Sequence, residues 1–549
     1  MKRNFLLFSF ALLSASGYAQ LNIQSGATFF IQSGATVTVQ GDVTSNADIQ
    51  GTGLLLLKGS SAQNVNMNGF TVNANIEIDN ANHVTLTGIA RASGLLTFTN
   101  GKLILGNNNF ILAATGNFAG AATGRFAETN GTGQFRKEIT ANGNYILPVG
   151  TGTRYTPVQF NISGAGFAGA YVAGRAVNGG HPGKHPRSTD FLNQYWSLAT
   201  NGVTGGTVTT IGSYTDATDV TGVEADIRSM AWNGSAWSMS GASQDNAANT
   251  VTAPFAGASG DLYAMNRFVL SSPKVFLQGA YNSGTGLMND LLRNSGAYSP
   301  GVFPASNLLP TSDPYRIAPY NAAFTHVANS VTETIAPSVL NDQVVAAQNI
   351  VDWVFVELRT VSSPTVAPVA QTRSALLRRD GVIVDVDGIS PVYFKNVDAA
   401  SNYVISVRHR NHLGLSTDPS TPLSLGLSST AFDYTTASDA QLFGTSSAYR
   451  VVSGVNTLWA GNANVNTGVK YITPNSDNST VLNQVLTFPG NAAQLYNYAS
   501  AFGYFSGDVN LDRRVKYIAP SNDGAIILAN ILSVSALYNF AGLLQALPN

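Results

Sequence analysis

Two segments near the C-terminus carry oxygen-bearing side chains at alternate positions, a pattern that can hold a metal ion. Residues 461–482 align with residues 507–528 without a gap, and each copy is followed by an apolar, helix-like stretch. Oxygens on alternate residues can point at one ion, as in the EF-hand loop, which holds calcium with about six to eight oxygens. In the second copy we expect calcium to bind the side chains of Asp508, Asn510, Asp512 and Asp523 and the backbone carbonyl of Arg514.

The second copy departs from the EF-hand pattern in two ways. Asp523 follows Asp508 by fifteen residues, whereas the standard loop closes in about twelve. Arg513 occupies the position where the standard loop has glycine for a sharp turn. The extra residues predict a bulge at residues 518–522.

The first copy has only amides at its three early positions. Neutral amides bind calcium more weakly than carboxylates do. The sequence therefore predicts a weaker second site, or a loop that keeps its shape without an ion, formed by Asn462, Asn464, Asn466 and Asp477.

The densest polar cluster elsewhere is His409-Arg410-Asn411-His412. Metal ligation or general-base chemistry is conceivable there. Residues three apart on an extended segment point to opposite faces, however. We expect a structural loop whose side chains form hydrogen bonds across the fold.

A second histidine cluster, His181 and His185 with Asp190, could bind zinc only if residues 181–185 were helical. Pro182 and Gly183 disfavour a helix, so a zinc site is not expected.

Carboxylates that could act as a glycosidase pair lie on the segment that contains Asp385 and Asp387. Two residues two apart on one strand lack the cleft that separates a catalytic acid from a nucleophile. We expect these residues, with Asp380, to cap turns or form a second calcium site. One functional alternative is therefore a hydrolase that uses Asp385, Asp387 or Glu357.

Motifs of other enzyme classes are absent from the sequence. There is no Gly-x-Ser-x-Gly elbow, phosphate-binding loop or His-Glu-x-x-His. The chain has no cysteine, which excludes disulfides, thiol catalysis and thiolate metal sites. Four aromatic residues could stack on sugars, although burial in a core is the more frequent fate of such residues: Tyr195, Trp196, Trp232 and Trp237.

The N-terminus has the pattern of an export signal. Lys2 and Arg3 precede an apolar stretch at 5–13, and small residues at Gly17 and Ala19 predict cleavage near Ala19. No later apolar stretch reaches the roughly 18–20 residues of a membrane-spanning helix. We expect a secreted or outer-surface protein without a transmembrane insertion.

Charged residues make up 11% of the 549 residues, and the net charge is −1. Glycine and small polar residues take the place of charges. Without a basic patch, nucleic acid is not expected as a partner. The composition favours an extracellular partner such as a glycan or a surface protein.

Short β-runs separated by Gly, Asn and Pro predict an all-β, multi-domain protein. Six residues from Ile23 recur eight positions later, from Ile31, which is typical of a solenoid or roll. Later runs suit β-sandwiches. The predicted order is a signal peptide at 1–19, a β-solenoid at 20–125, a β-sandwich at 126–270, a β-sandwich at 271–450 and a small helical, paired-loop module at 451–549.

The paired loop-and-helix layout resembles dockerin modules, and residues 274–549 are similar to Bacteroidetes surface proteins often labelled hemagglutinin-like. The second resemblance is carried by four motifs: Val275 to Asn282 with Gly286 to Arg293, Asp352 to Arg359, Ala375 to Gly388, and Arg408 to Gly414. It implies an adhesin-like or matrix-like role at the cell exterior and no reaction.

We therefore expect a non-enzymatic, exported adhesin or structural protein whose C-terminal module is stabilised by calcium. The alternative is a carbohydrate-binding accessory protein of a polysaccharide-degrading system, in which the aromatic residues bind glycans and the C-terminal loops bind a partner. That alternative predicts a coplanar row of exposed aromatic side chains.

Overall fold

A computed structural model of the chain describes residues 20–293, 306–399, 402–472, 475–518, 520–535 and 542–549. The predicted export signal lies outside the described residues. The chain divides into two compact units, the first ending at Asn266 and the second beginning at Arg267. The finer division into four domains stays a prediction.

The first unit begins with three-stranded coils that stack on one another. Within β1 to β15, every strand pairing is parallel and joins a strand to its counterpart one coil away. The strands are β1 (Leu21–Ile23), β2 (Phe29–Ile31), β3 (Thr36–Val39), β4 (Val43–Ser45), β5 (Ile49–Gly51), β6 (Leu54–Leu57), β7 (Gln63–Asn66), β8 (Thr71–Val72), β9 (Asn75–Asp79), β10 (Val84–Leu86), β11 (Ala90–Ala92), β12 (Leu95–Asn100), β13 (Leu103–Ile104), β14 (Phe110–Leu112) and β15 (Asn117–Ala119).

This arrangement confirms the predicted β-solenoid and explains its repeat. Leu21 pairs with Val43, and Val43 pairs with Val65, so one coil takes 22 residues. The eight-residue repeat in the sequence is the distance between successive faces of one coil, such as β1 and β2. The Asn-Gly turn at 100–101 is a corner of the solenoid and not a hairpin, because β12 and β13 belong to different parallel sheets.

Amide side chains connect neighbouring coils at the corners. Gln63 donates from Nε2 to the carbonyl oxygens of Val39 and Gly41, at 3.0 and 2.7 Å, and its Oε1 accepts from Asn80 at 2.9 Å. Because amides both donate and accept, they satisfy corner backbone groups without a buried charge. This role accounts for the Asn-rich, charge-poor composition of the segment.

The sheet that contains β2 and β5 continues into a β-sandwich within the first unit. β17 pairs in parallel with β14 and in the antiparallel sense with β22. The facing sheet has the order β18-β21-β25-β30-β29. The elements are β16 (Ala127–Glu128), β17 (Phe135–Glu138), β18 (Gly143–Leu147), β19 (Val149–Thr151), β20 (Arg154–Tyr155), β21 (Val158–Ser163), β22 (Gly166–Asn178), β23 (Phe191–Leu192), β24 (Gln194–Thr204), β25 (Thr207–Ser213), α1 (Asp216–Asp219), β26 (Val220–Thr221), β27 (Ile227–Trp232), β28 (Trp237–Ser238), β29 (Ser243–Asp245), β30 (Thr250–Pro254) and β31 (Ser259–Asn266).

The second unit contains a second pair of larger sheets, of six and three strands. Its central strand β35 is buried over ten of its eleven residues, because other segments cover both of its faces. Its strands are β32 (Phe268–Lys274), β33 (Tyr281–Asn282), β34 (Leu287–Met288), β35 (Ile350–Thr360), β36 (Val369–Arg378), β37 (Ile383–Val384), β38 (Val392–Lys395), β39 (Asn402–Arg408), β40 (Leu415–Ser416), β41 (Leu423–Ser424), β42 (Thr430–Asp433), β43 (Arg450–Val452), β44 (Val455–Thr457), β45 (Gly468–Val469), β46 (Ala501–Phe502), β47 (Arg514–Val515) and β48 (Leu543–Leu544).

Helices are few in the described residues. The sequence predicts a helix over Gly286–Arg293, which is wrong: β34 and a turn occupy this stretch. The α-helices of the second unit are α2 (Asp477–Leu486) and α3 (Asp523–Val534), each beginning at the aspartate that follows its loop. Short 3-10 helices span Glu224–Asp226, Pro314–Arg316, Tyr320–Ala322, Pro337–Leu340, Ala346–Gln348, Asp439–Gln441 and Thr445–Ser447. Across the described ranges, no helix is both long and apolar enough to span a membrane.

A glycine pair tests the packing of the solenoid corners. Gly51 and Gly26 both have positive φ angles, of 98° and 79°. A Cβ atom at Gly51 would lie 2.0 Å from the carbonyl oxygen of Ile31, whereas one at Gly26 would have no atom within 4 Å. We expect Gly26→Ala to lower the free energy of unfolding by about 1 kcal/mol and Gly51→Ala by about 2–4 kcal/mol. Urea denaturation followed by circular dichroism measures both losses, and equal losses would contradict the close approach of the Ile31 backbone to Gly51.

Candidate metal centre

The second C-terminal loop is organised by the carboxylate of Asp508. One carboxylate oxygen accepts from the backbone N–H of Asp512 at 2.9 Å, and the other from that of Arg513 at 3.0 Å. Asn510 Oδ1 also accepts from the N–H of Asp512, at 3.0 Å. These bonds turn the backbone around the side chains of the first two predicted ligands.

Asp523 closes the loop from the first turn of α3. Its two oxygens accept from the backbone N–H groups of Val509 and Lys516, both at 2.8 Å. Asn522 caps the helix by accepting from the N–H of Ala525. The bonds of Asp523 hold the beginning of the loop and the end of β47 against the N-terminus of the helix.

Asp512 has two cationic neighbours, Arg514 and Lys516. Its Oδ2 lies 3.6 Å from Arg514 Nε and 3.9 Å from Lys516 Nζ. Its Oδ1 accepts from the backbone N–H of Arg514 at 3.3 Å. Both cations offset part of the negative charge of the loop.

Three carboxylates therefore share a small and mostly buried volume. Asp508 and Asp523 are fully buried, and the side chain of Asp512 is 17% exposed. Burial, followed by the charges of Asp523 and Asp512, raises the pKa of Asp508 well above its usual value. Burial, opposed by hydrogen bonds from backbone N–H groups, raises the pKa of Asp523 to about 8. A nearby cation would favour the charged form of each carboxylate.

The first loop also receives its helix-starting aspartate, but it is closed by a different interaction. Asp477 Oδ1 accepts from the N–H of Asn464 at 3.1 Å, and its Oδ2 from the N–H of Lys470 at 2.7 Å. Asn462 accepts from the N–H of Asn466 at 3.0 Å and also donates to the carbonyl oxygen of Asn466 at 2.7 Å. Asp508 can only accept when it is ionised. The first loop thus closes through the amide of Asn462, whereas the second loop has no amide donor at the aligned position, Asp508.

The loops also share unusual backbone angles. Val465 and Leu511, which align, have positive φ angles of 60° and 56°. The next aligned pair, Asn475 and Ser521, has values of 62° and 59°. The two segments therefore share this backbone angle at two aligned positions, whereas Arg513 has a positive φ angle and the aligned Thr467 does not.

Arg513, the departure from the EF-hand pattern, serves as an anchor. Its φ angle is 85°, in the region that glycine favours. Its fully buried guanidinium group donates to the carbonyl oxygens of Leu291, Leu292 and Ser306. A glycine would allow the same turn but would not bind the loop to the rest of the second unit.

The described residues contain no group of three or more His, Asp or Glu side chains arranged as a metal site. Calcium loops also use amide and backbone oxygens, however. A carboxylate has about four acceptor positions, and Asp508 and Asp523 each use two of them for the N–H groups named above. The donor chemistry of the second loop therefore fits calcium, with positions left on the oxygens of Asp508, Asp523, Asp512 and Asn510.

The His409–His412 cluster is buried and connected, which corrects the expectation that the two histidines point to opposite faces. β39 ends at Arg408, so this segment is no longer extended, and the two Nδ1 atoms lie 3.2 Å apart. His409 Nε2 lies 3.1 Å from Asp352 Oδ2, and His412 Nε2 accepts from the N–H of Gly279 at 3.2 Å. The partners assign one proton to each ring, on Nε2 of His409 and on Nδ1 of His412.

Asp352, which the sequence did not single out, is the acceptor at the end of this histidine chain. Its Oδ2 also accepts from Arg410 Nε at 2.9 Å, and its Oδ1 accepts from Tyr504 OH at 2.7 Å. Asp352, His409 and Arg410 are all buried. Only the long, continuously apolar β35 could have indicated a buried environment for Asp352.

The His181 cluster is not assembled as a metal site. His181 Nε2 lies 3.0 Å from Asp261 Oδ2, and its ring packs between Tyr195 and Trp237, each 4.7 Å from it between ring centroids. His185 Nδ1 accepts from the N–H of Arg187. Asp190 Oδ1 accepts from the N–H of Val223. Each of the three side chains is thus bonded to a different part of the first unit.

The carboxylates of the hydrolase alternative have structural partners. Glu357 is 4% exposed at its side chain and pairs with Arg359 and Arg408 at 2.6 and 3.0 Å. Asp385 and Asp387 follow β37 in a turn and do not lie on a strand, which corrects the expectation of a shared strand face. Asp387 accepts from the N–H groups of Ile389 and Ser390, as expected for a turn cap.

The tryptophans divide between core and surface. Trp196, Trp353 and Trp459 are buried, and Trp232 and Trp237 are half-buried. The rings of Trp232 and Trp237 lie 4.9 Å apart and are inclined by 49°. This pair is therefore not part of a coplanar row.

No family model, curated protein or solved structure matches the chain.

The two buried histidines predict a loss of stability in acid. Burial lowers the pKa of His409, and burial with the neighbouring charges lowers that of His412 further. Below pH 6.5 the unfolded chain takes up protons that the folded chain excludes. The contribution of the two histidines to stability is thus complete above about pH 6.5 and is lost as the pH drops. We expect His412→Gln to reduce the pH dependence of the free energy of unfolding by up to about 1.4 kcal/mol per pH unit.

Thermal melts between pH 7.5 and pH 5 measure this change, with His185→Gln as the control in the first unit. The same pH dependence in the wild type and in His412→Gln would contradict the neutral histidine chain.

The hydrogen bonds and the backbone angle of Arg513 have opposite effects on the free energy of unfolding when the residue is replaced by glycine. Arg513→Gly relieves about 1 kcal/mol of backbone strain but removes the hydrogen bonds to Leu291, Leu292 and Ser306 and leaves their carbonyl groups without these partners. We expect a net loss of about 1–3 kcal/mol in the free energy of unfolding. Urea denaturation measures the change, and a variant as stable as the wild type would exclude the anchor.

Proposed function

We propose that this chain is an exported, non-enzymatic surface protein of adhesin-like character with a calcium-stabilised C-terminal module. One calcium ion would be held by Asp508, Asn510, Asp512, Asp523 and the carbonyl oxygen of Arg514. The ion would supply no reaction. It would stabilise the loop, because an ion that binds only the folded state raises stability.

The observation that carries the calcium proposal is the contrast between the two loops. The first loop closes through the amide of Asn462, whereas the second buries Asp508 and Asp523 beside Asp512. Burial of several carboxylates is costly unless cations or hydrogen bonds compensate it. The backbone N–H groups, Arg514 and Lys516 compensate part of this cost, and a divalent cation would compensate more.

The adhesin-like role is supported by the architecture and by the surroundings of the candidate catalytic residues. A β-solenoid and sandwich-type sheets are architectures that suit a surface scaffold. The candidate catalytic carboxylate Glu357 is buried and paired with two arginines. The export pattern of residues 1–19 and the resemblance of residues 274–549 to hemagglutinin-like surface proteins support the same proposal.

The carbohydrate-binding alternative retains one favourable observation. Trp232 and Trp237 are half-buried on adjacent strands of the first unit. Aromatic faces stack on sugars, but both rings also pack against His181. A dockerin-like docking role for the C-terminal loops belongs to this alternative.

Calcium binding predicts a difference between melts with calcium and with EGTA. With calcium at 100 times its dissociation constant, the folded state gains about 2.7 kcal/mol, which raises the melting temperature of the second unit by about 5–10 °C. Asp508→Asn should lose the shift, and the matched variant Asn462→Ala in the first loop should keep it. Equal melting temperatures of the wild type in calcium and in EGTA would contradict the calcium proposal.

A further inference from the structure

A polar cleft in the first unit has the features of a ligand site. It has a volume of about 710 Å³, within the range of about 300–1,000 Å³ that is usual for small-molecule sites. It lies where β22 meets the turn between β19 and β20, the segment after β16, and α1. Hydroxyl and amide side chains line it, namely those of Thr129, Thr151, Thr153, Thr218, Asn130 and Asn178.

Two arginines line the cleft, and they differ in how their charges are compensated. Arg154 donates to the buried Asp219 at 2.7 Å and also to Asn178. Arg175 donates from Nη1 to the carbonyl oxygen of Gly131 at 3.2 Å. Among the described residues, no carboxylate lies within ion-pair distance of Arg175. The cleft thus contains one fixed guanidinium group and one whose charge no anion of the described chain offsets.

The chemistry of the lining specifies the ligand. A guanidinium group offers a planar fork of N–H donors that matches carboxylate and sulfate oxygens. Hydroxyl and amide groups match the hydroxyls of a sugar, since both donate and accept. Val177 is the one larger apolar side chain in the lining, so the cleft offers no cluster of apolar side chains to a lipid chain.

We propose that this cleft binds an acidic glycan, with Arg175 contacting a carboxylate or sulfate group of one sugar residue. The site deepens the proposed surface function by naming its ligand class, and it rests on that function only in the choice of an exterior glycan. It lies within the first unit, whereas the calcium loop belongs to the second.

Calorimetric titration of the full chain tests the site with three probes: an oligogalacturonate, a chondroitin sulfate oligosaccharide and neutral dextran. We expect binding to at least one acidic probe and none to dextran. Preference for oligogalacturonate would assign the carboxylate, and preference for chondroitin sulfate would assign the sulfate. No binding of either acidic probe would overturn the proposal.

Variants separate the fork of Arg175 from its charge. Arg175→Gln should weaken binding about 10- to 100-fold, because it removes a charge-assisted hydrogen-bond donor. Arg175→Lys, which keeps the charge without the fork, should lie between the wild type and Arg175→Gln. The control Arg228→Gln removes the same charge from β27, where the side chain donates to the carbonyl oxygens of Ala225 and Ile227. Equal weakening by Arg175→Gln and Arg228→Gln would overturn the site.

Two further measurements keep the result interpretable. Circular dichroism checks the fold of each variant, and Thr153→Val, an exposed change in the lining, should weaken binding without affecting the fold. Repeating the titration in EGTA separates this proposal from the calcium proposal. If glycan binding survives EGTA but calcium does not raise the melting temperature, the calcium proposal alone is overturned. If calcium raises the melting temperature but neither acidic probe binds, the glycan proposal alone is overturned.

Discussion

The second unit depends on one buried carboxylate, that of Asp352 at the start of β35. It accepts from Arg410, His409, Tyr504 and the backbone N–H of Trp353. A buried charge is tolerated only when it is paired and hydrogen-bonded, so these partners must stay in place. Because they come from distant parts of the sequence, Asp352 fixes the relative positions of β35, the segment after β39 and the segment before the second loop.

The same network reaches the candidate calcium loop. Arg410 donates to the carbonyl oxygen of Phe505, and Asn411 Nδ2 donates to that of Asp508 at 2.6 Å. From the other side, Asn530 of α3 exchanges hydrogen bonds with Gln278 at 2.7 and 2.9 Å. The loop and its helix are therefore built into the second unit and are not an appended tail. Stabilisation of the loop by an ion would thus extend to the sandwich beside it.

The sequence predicted what depends on local pattern. Short β-runs predicted the strands, and the Gly and Asn residues between them predicted turns or corners. The aligned loops predicted that each helix begins at Asp477 or Asp523, because an aspartate at a helix N-terminus both accepts from backbone N–H groups and interacts favourably with the helix dipole.

What depends on distant contacts could not be predicted in this way. The repeat from Ile23 to Ile31 indicated successive strands of a solenoid. The strands that pair with each other, however, are 22 residues apart, and the eight-residue repeat does not show this pairing. From the sequence, Arg513 is only a departure from the calcium-loop pattern. Its anchoring role could not be predicted, because its hydrogen-bond partners lie more than 200 residues away in the sequence. His409 and His412 were expected on opposite faces because the end of β39 is set by tertiary packing. For Asp352 the apolar run of β35 indicated burial, but nothing local indicated its partners Arg410, His409 and Tyr504.

We propose that the second loop holds one calcium ion and that the first loop holds none. Equilibrium dialysis of the chain against calcium after removal of bound metal, followed by elemental analysis, measures the number of ions directly. We expect one calcium ion per chain in the wild type and none in Asp508→Asn. A wild type without calcium, a wild type with two ions, or an Asp508→Asn variant that keeps its ion would contradict the proposal.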